Sequence, residues 1–262
     1  SIAKKAFHLL IGRRILKGCH FHVTSEKEKQ DILRLLSPRS ITVIPNFVRL
    51  PNSKSGTAQN QPIRDAKQCH VERHLRSHDP QLTSYGDGLT NLLFLSRIEE
   101  KKGLKYLFQA LSLLDLPWTL SVAGDGKPEY IRRLQSLARD LKIDNRVTWM
   151  GHLNNEEKFS VLESHDLLVL PSYDENFANV VIESIAMGTP VLISDKVGLA
   201  DYVLKYKLGM VCKQDPQSIR DSLTNFIRAG HIENLHFQDR IKQDFNECRL
   251  AQQYIKLYKS LT

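Results

Sequence analysis

One stretch carries the densest set of chemically capable residues: Leu170-Pro-Ser-Tyr-Asp-Glu-Asn-Phe-Ala-Asn-Val-Val-Ile-Glu-Ser-Ile-Ala-Met-Gly-Thr-Pro190. The apolar run ending at Leu170 reads as a buried strand and the pattern from Asn179 as a helix, so Asp174 and Glu175 fall in the loop between. The first N–H groups of such a helix lack intrahelical acceptors and, with the helix dipole, form an anion site. Glu183 stands one turn beyond Asn179 on the same face, where its carboxylate could accept hydrogen bonds from vicinal hydroxyls such as those of a ribose. Glu175, at the mouth of the loop, would stand beside whatever the phosphate carries. On spacing alone, a surface loop acid and an exposed helix acid are the more ordinary description.

A second stretch shifts that balance. Leu93-Phe-Leu-Ser-Arg97-Ile-Glu-Glu-Lys-Lys102-Gly103 puts Arg97 just after a buried strand and Lys102 at the start of the next helix. Cations at the carboxyl end of a parallel strand lie where open α/β sheets bind ligands, and they can neutralise a diphosphate without a metal. A basic strand–helix loop alone is ordinarily solvated charge. Together with Glu175 and Glu183 it describes a nucleotide-diphosphate pocket.

The elements that must position these groups follow from hydrophobic pattern. From Asn91 onward, the apolar runs 92–95, 120–123, 147–150, 167–170, 191–193 and 210–212 alternate with amphipathic stretches near 104–114, 128–141, 155–164, 179–187, 199–205 and 216–228. Continuous short runs of Val, Leu and Ile suit strands buried on both faces. Strand–helix alternation with short loops predicts an α/β fold, a Rossmann-like doubly wound parallel sheet over 91–240. Asn154 with Glu157 forms a capping pair, and Gly209 follows the turn after 199–205.

Residues 1–48 read as a piece of another domain. A basic amphipathic helix at 2–17 precedes a strand at 20–23. Ser25 and Glu28 then suggest a capping box opening a helix to about Leu36, and a second strand at 41–44 runs into Pro45-Asn46. Two strands and two helices cannot bury a core of their own. Residues 49–90 are polar and lack apolar periodicity, as expected of a flexible insertion or linker. Cys69, His70, His74 and His78 within it have helical spacing that suits zinc, although a polar loop containing histidines is the simpler reading, and no metal site is expected. A final helix is expected near 251–261, within a C-terminal segment spanning 241–262.

Bulk composition sets outer bounds. The chain has 262 residues, 41% hydrophobic and 25% charged, as ordinary globular proteins have. Its four cysteines, Cys19, Cys69, Cys212 and Cys248, show no paired spacing, and no apolar run approaches the ~20 residues of a membrane span. These features lead to the expectation of a soluble, cytoplasmic protein. The formal net charge of +8 draws anions in general. Aromatic residues are not interleaved with the basic ones, so no nucleic-acid partner is expected. Lys4, Lys5, Arg13, Arg14 and Lys17 on the first helix suit peripheral contact with an acidic membrane, the alternative being that this helix belonged to the edge of an absent domain.

The ordered set of motifs resembles glycosyltransferase family 4, retaining enzymes of the GT-B fold. Val23-Thr-Ser-Glu26 and Val43-Ile-Pro-Asn46 resemble that family's crossing between its two domains. Ser96-Arg97 through Lys102-Gly103 resembles its diphosphate loop, Val122-Ala-Gly-Asp-Gly126 its second strand–helix turn, and Gly151-His152-Leu153 its base-binding loop. Glu175 and Glu183 fit its Glu-x₇-Glu motif, followed by Met187-Gly-Thr-Pro-Val191.

The resemblance implies a C-terminal donor-binding domain with a partial N-terminal one. It implies that Arg97 and Lys102 hold a pyrophosphate together with the amides of Phe177 and Ala178, and that Asn176 and Asn179 line the same loop. Glu175 would be the catalytic contact to the donor sugar, Glu183 the ribose contact, and main-chain groups near His152 and Leu153 the base contacts. No metal and no cofactor are implied beyond the nucleotide diphosphate sugar itself, and no Asp-x-Asp triplet occurs in the chain. The acceptor would be a glycan or a lipid-linked sugar.

The sequence departs from the family in Ser96 for glycine, in Glu175-Asn-Phe-Ala178 for Glu-Gly-Phe-Gly, and in Leu199 and Asp201. Asn tolerates positive φ better than most residues, so the loop conformation is expected to survive at Asn176. Only 22 residues precede Val23, where the family has a whole domain of about 150–200 residues. The chain then reads as a fragment of a hexosyltransferase or as one half of a split one. The alternatives are a donor-binding module inactive without a separate N-terminal half, and a non-hydrolysing sugar-nucleotide epimerase of the same fold.

Overall fold

The computed structural model describes residues 13–48, 50, 88–230 and 237–261. The basic segment before Arg13, most of the 49–90 stretch and its Cys69, His70, His74 and His78 lie outside the described residues. Six strands form one parallel sheet: β3 (Thr90–Leu95), β4 (Trp118–Ala123), β5 (Val147–Gly151), β6 (Leu167–Leu170), β7 (Val191–Ser194) and β8 (Gly209–Cys212). Their spatial order is β5-β4-β3-β6-β7-β8. The chain winds outward from β3 to β5, returns to the middle at β6, and winds out again on the other side. The order therefore reverses between β3 and β6, where Leu92 pairs with Leu167 and Leu93 with Leu168. In open α/β sheets that reversal opens a crevice beyond the carboxyl ends of the two strands.

Each element follows from its residues. All of Leu92, Leu93, Phe94, Leu167, Leu168, Val169, Leu192 and Ile193 are buried, as the unbroken apolar runs require of strands covered on both faces. The helix after β3 buries Leu104, Leu107, Phe108, Ala110 and Leu111 at helical spacing. The helices over Pro128–Asp140 and Pro216–Ala229 both begin with proline at the position where a missing N–H costs nothing. In the second, Asp215 caps by accepting from the Ser218 N–H. The Asn154–Glu157 capping box is fully formed, with both of its bonds at 2.9 Å.

The N-terminal residues build a smaller unit. After a short helix α1 (Arg13–Leu16), β1 (His20–Val23) and β2 (Ser40–Val43) pair in parallel, joined by helix α2 (Glu26–Leu35). The predicted capping box is formed only in part. Ser25 accepts from the Glu28 N–H, but the Glu28 carboxylate reaches the Thr24 N–H at 2.8 Å and its hydroxyl at 2.9 Å instead of Ser25. Full burial of a large aliphatic side chain is worth about 1.5–3 kcal/mol. The helix after β3 has several such residues and α2 has none, so α2 relies on polar contacts at its start.

With α3 (Leu104–Ser112), α4 (Pro128–Asp140), α5 (Asn155–Ser164), α6 (Asn179–Ala186), α7 (Ala200–Lys205) and α8 (Pro216–Ala229) covering the sheet, two more helices close the chain: α9 (Phe237–Asp244) and α10 (Glu247–Lys259). Hydrophobic pattern did not reveal α9, which runs across residue 240. It buries Ile241, and Phe245 follows it into the core, 5.9 Å from the Phe177 ring and 5.4 Å from that of Tyr202. Helix α10 starts at Glu247, earlier than its apolar pattern suggested, because Asn246 caps it. It lies back on β1, where the Tyr254 hydroxyl is 3.2 Å from His22 Nε2. Thus a Rossmann-like sheet domain carries a partial second domain of the GT-B type.

Candidate functional site

The crevice at the strand-order reversal is lined by the loops that follow β3 and β6. After β3, Glu100–Lys102 make one tight turn that Gly103 ends at φ 75°. A Cβ on Gly103 would lie 2.0 Å from the Pro171 carbonyl oxygen, so only glycine allows the two loops to approach this closely. The Tyr173 N–H also donates to the Lys101 carbonyl at 2.7 Å. This approach buries Lys102, 6% exposed, and brings its Nζ onto Glu175 Oε2 as an ion pair. A neighbouring close approach places Gly124, at φ 130°, beneath the Ser96 carbonyl, where a Cβ would lie 1.9 Å from the oxygen. Glycine is thus required on the facing turn, and Ser96 is accommodated beside Arg97.

The loop after β6 is fixed along both edges. Glu175 donates its N–H to Lys196 O at 3.3 Å and accepts at its own carbonyl from Gly198 N at 2.7 Å, a parallel bridge that holds the backbone flat. Phe177 is buried. The positive φ falls on Ala178, at φ 64° and ψ 76°, and not on Asn176, where the motif comparison had put it. For a non-glycine residue that conformation costs about 1–2 kcal/mol. Its consequence is geometric: Ala178 becomes an N-cap without a side-chain acceptor, so the first N–H groups of α6 stay available to an anion.

The other edge is held by pairings that no local pattern foretold. Lys27 on α2 pairs with Asp174 at 3.1 Å, Asn176 donates to Glu28 Oε1 at 3.3 Å, and Asn46, beyond β2, donates to Asn179 Oδ1 at 3.3 Å. Burial acts to lower the pKa of Lys27, but its bonds to Asp174 and Asp31 outweigh that and raise it. These partners are 133 to 148 positions apart in the chain, beyond any local signal. On the opposite flank, burial together with a hydrogen bond to Tyr106 pushes the Tyr173 hydroxyl up to about 12.

Not all candidates converge. Glu183 meets Lys158 on α5, with Nζ 2.8 Å from Oε1, and the two side chains are 12% and 21% exposed respectively. Arg97, with its side chain 69% exposed, has Glu99 as its ion-pair partner among the described residues, at 3.1 Å. It lines a cleft of about 690 Å³ shared with Glu99, Asp125, Lys127, Tyr130 and Arg133. His152 Nδ1 lies 3.3 Å from Asp125 Oδ2 with both side chains exposed, and Leu153 is half-buried. Lys102 and Glu175 therefore meet directly ahead of α6, whereas the cleft that Arg97 lines includes neither of them, and His152 pairs with Asp125. Among the described residues no group of three or more His, Cys, Asp or Glu side chains could hold a metal ion, and no helix is long and apolar enough to cross a membrane.

A Rossmann-like sheet with a buried lysine and an open helix N-terminus at its strand-order reversal defines the architectural class. Residues 84–243 match the family described as Glycosyl transferases group 1, and the chain belongs to that family. Among curated proteins it is 28% identical over 179 residues to a D-inositol 3-phosphate glycosyltransferase of Corynebacterium urealyticum, covering 64% of this chain and 42% of that protein. It is 33% identical over 128 residues to a glycogen synthase of Mycobacterium tuberculosis, covering 48% and 30%. The chain thus spans less than half the length of these relatives.

Solved structures agree on the fold. The sucrose-phosphate synthase of Thermosynechococcus elongatus superposes with a TM-score of 0.72 at 24% identity, covering 98% of this chain and 62% of that one. The Anabaena protein HepE, solved in complex with UDP and glucose, gives 0.70 at 17%, covering 99% and 68%.

Proposed function

We propose that this chain is the donor-binding half of a retaining glycosyltransferase that moves a hexose from a nucleotide diphosphate sugar to a glycan or lipid-linked acceptor. The observation that carries the reading is the buried Lys102–Glu175 pair beside the uncapped start of α6. In the crevice Lys102 is paired with an acid. A diphosphate would take over that ammonium and accept from the α6 N–H groups, stabilising the leaving group as charge develops on it. Glu175, released from Lys102, would then be free to accept from hydroxyls of the donor sugar. Arg97 would reach the outer phosphate oxygens, Glu183 the ribose, and the main chain around His152 and Leu153 the base. The cations and the helix end supply this charge neutralisation, so the reading needs no divalent ion. A relative of the same fold solved with UDP and glucose supports it. The acceptor side would come from an N-terminal domain, either on the same polypeptide or on a separate one.

Thermal denaturation in EDTA with UDP, GDP or ADP tests the reading. A ligand that binds only the native chain at 100 times its Kd stabilises it by about 2.7 kcal/mol, or roughly 5–10 °C in Tm for a domain of this size. Absence of a shift with all three at millimolar concentration would remove the donor-binding reading.

A further inference from the structure

Both acids of the Glu-x₇-Glu pair are matched by a lysine from another element: Glu175 by Lys102, and Glu183 by Lys158. The second pairing was not foreseen from the sequence. We propose that Lys158 is a positioning residue for the nucleotide site, acting through Glu183 to set how strongly the site selects a ribose diol. This rests on the donor-binding reading above.

The geometry fixes Lys158 unusually well for a lysine. Its Nζ lies 2.8 Å from Glu183 Oε1 and 4.6 Å from the centroid of the adjacent Phe159 ring, so two contacts restrain one flexible stem. The backbone beneath it is equally constrained. The Asn154–Glu157 capping box locks the first turn of α5, and the Lys158 N–H closes that turn on Asn154 O at 2.9 Å. At its far end, α5 is tied to the turn after α6, where the Thr189 hydroxyl donates to Leu162 O at 2.6 Å. The two helices are therefore held at a fixed spacing, and the ion pair spans it.

The chemistry follows from that placement. A carboxylate only 12% exposed needs a counter-charge, and one beside a bound diphosphate would also meet like-charge repulsion. Lys158 removes both penalties and engages Oε1, leaving Oε2 and the remaining lone pairs as acceptors for a diol. Without the ammonium, Glu183 loses both its aim and its compensation. The loss is then felt by a ligand with ribose hydroxyls and not by one that lacks them.

The test measures affinities of the full chain for UDP and for 2′,3′-dideoxyuridine diphosphate by titration calorimetry, with GDP, ADP and their dideoxy counterparts in parallel. Wild type is expected to favour the ribose form by about 10- to 100-fold, the range for hydrogen bonds to a charged group. Lys158→Met, which keeps the stem over Phe159, should bring the ratio close to one by weakening the ribose form alone, and Lys158→Arg should preserve most of it. Lys158→Gln serves as a second neutral variant should the methionine variant fail to fold by circular dichroism. A ribose-to-dideoxy ratio unchanged in a folded neutral variant overturns this proposal alone. Wild-type chain that binds none of the diphosphates overturns it together with the donor-binding reading.

Discussion

Replacing Lys102 with alanine addresses the centre of the site most directly. Its Nζ is buried and engaged by Glu175 Oε2, so an incoming diphosphate must exchange one ionic partner for another. A phosphate oxygen about 3 Å from the ammonium, at an effective dielectric constant near 20, gains roughly 5 kcal/mol of Coulomb energy. The Glu175 pair that is given up offsets part of that gain. We therefore expect Lys102→Ala to weaken diphosphate binding by about 2–3 kcal/mol, the lower part of the range for truncating one member of a buried charge pair. That is a loss of about 30- to 150-fold in affinity.

The assay is calorimetry with UDP, GDP and ADP in EDTA, run well below the variant's Tm, because an unpaired Glu175 should also lower stability. A companion variant sharpens the test. Glu175→Gln removes the competing acid, so the nucleoside diphosphate alone should bind as tightly as to wild type or more tightly. A folded Lys102→Ala variant with wild-type affinity for all three nucleotides would refute the exchange and move the site elsewhere.

Two further outcomes follow from the same geometry. Ala178 sits at φ 64°, so Ala178→Gly should leave Tm unchanged or raise it by up to about 4 °C, the relief of left-handed strain offsetting glycine's added freedom, whereas Ala178→Val should lower it; melting curves showing the reverse order would contradict the assigned backbone. Burial pushes the Cys212 thiol up to about 12, while Cys248 is exposed, so iodoacetamide at pH 8 should alkylate Cys248 in the native chain and Cys212 only after unfolding, as peptide mass mapping would read; rapid native labelling of Cys212 would contradict its placement.

Much of the scaffold was legible locally. Continuous apolar runs gave the six strands of the sheet to within two residues at each end, because burial on both faces leaves no room for alternation. The Asn154–Glu157 capping pair marked the helix start at Asn155, and the amphipathic stretches expected near 128–141 and 216–228 begin where α4 and α8 begin. Helix α9 was missed because its apolar contribution, Ile241 and the following Phe245, is too sparse to make a stripe. The half-formed capping box at Ser25 shows the limit of a motif: the residue types were right, but the Glu28 carboxylate had a nearer donor in Thr24.

For the site, residue types and spacing identified Lys102, Glu175 and Glu183 as candidates, since an acid–helix–acid pattern after a buried strand and a cation after another are local facts. Their partners were not local. Lys102 meets Glu175 across 73 positions, Lys158 meets Glu183 across 25, and Glu28 meets Asn176 across 148. Which residue takes the positive φ was likewise decided by how the loop is pinned between Val197 and α2, and not by intrinsic preference, which would have chosen Asn176 over Ala178. The amino-acid order determined the strands, the helices and the kinds of charge available at their ends. Only the winding of the sheet, which sets β3 beside β6, decided which of those charges neutralise one another and which remain open to a ligand, because ion pairing depends on separation in space and burial, and neither is written along the chain.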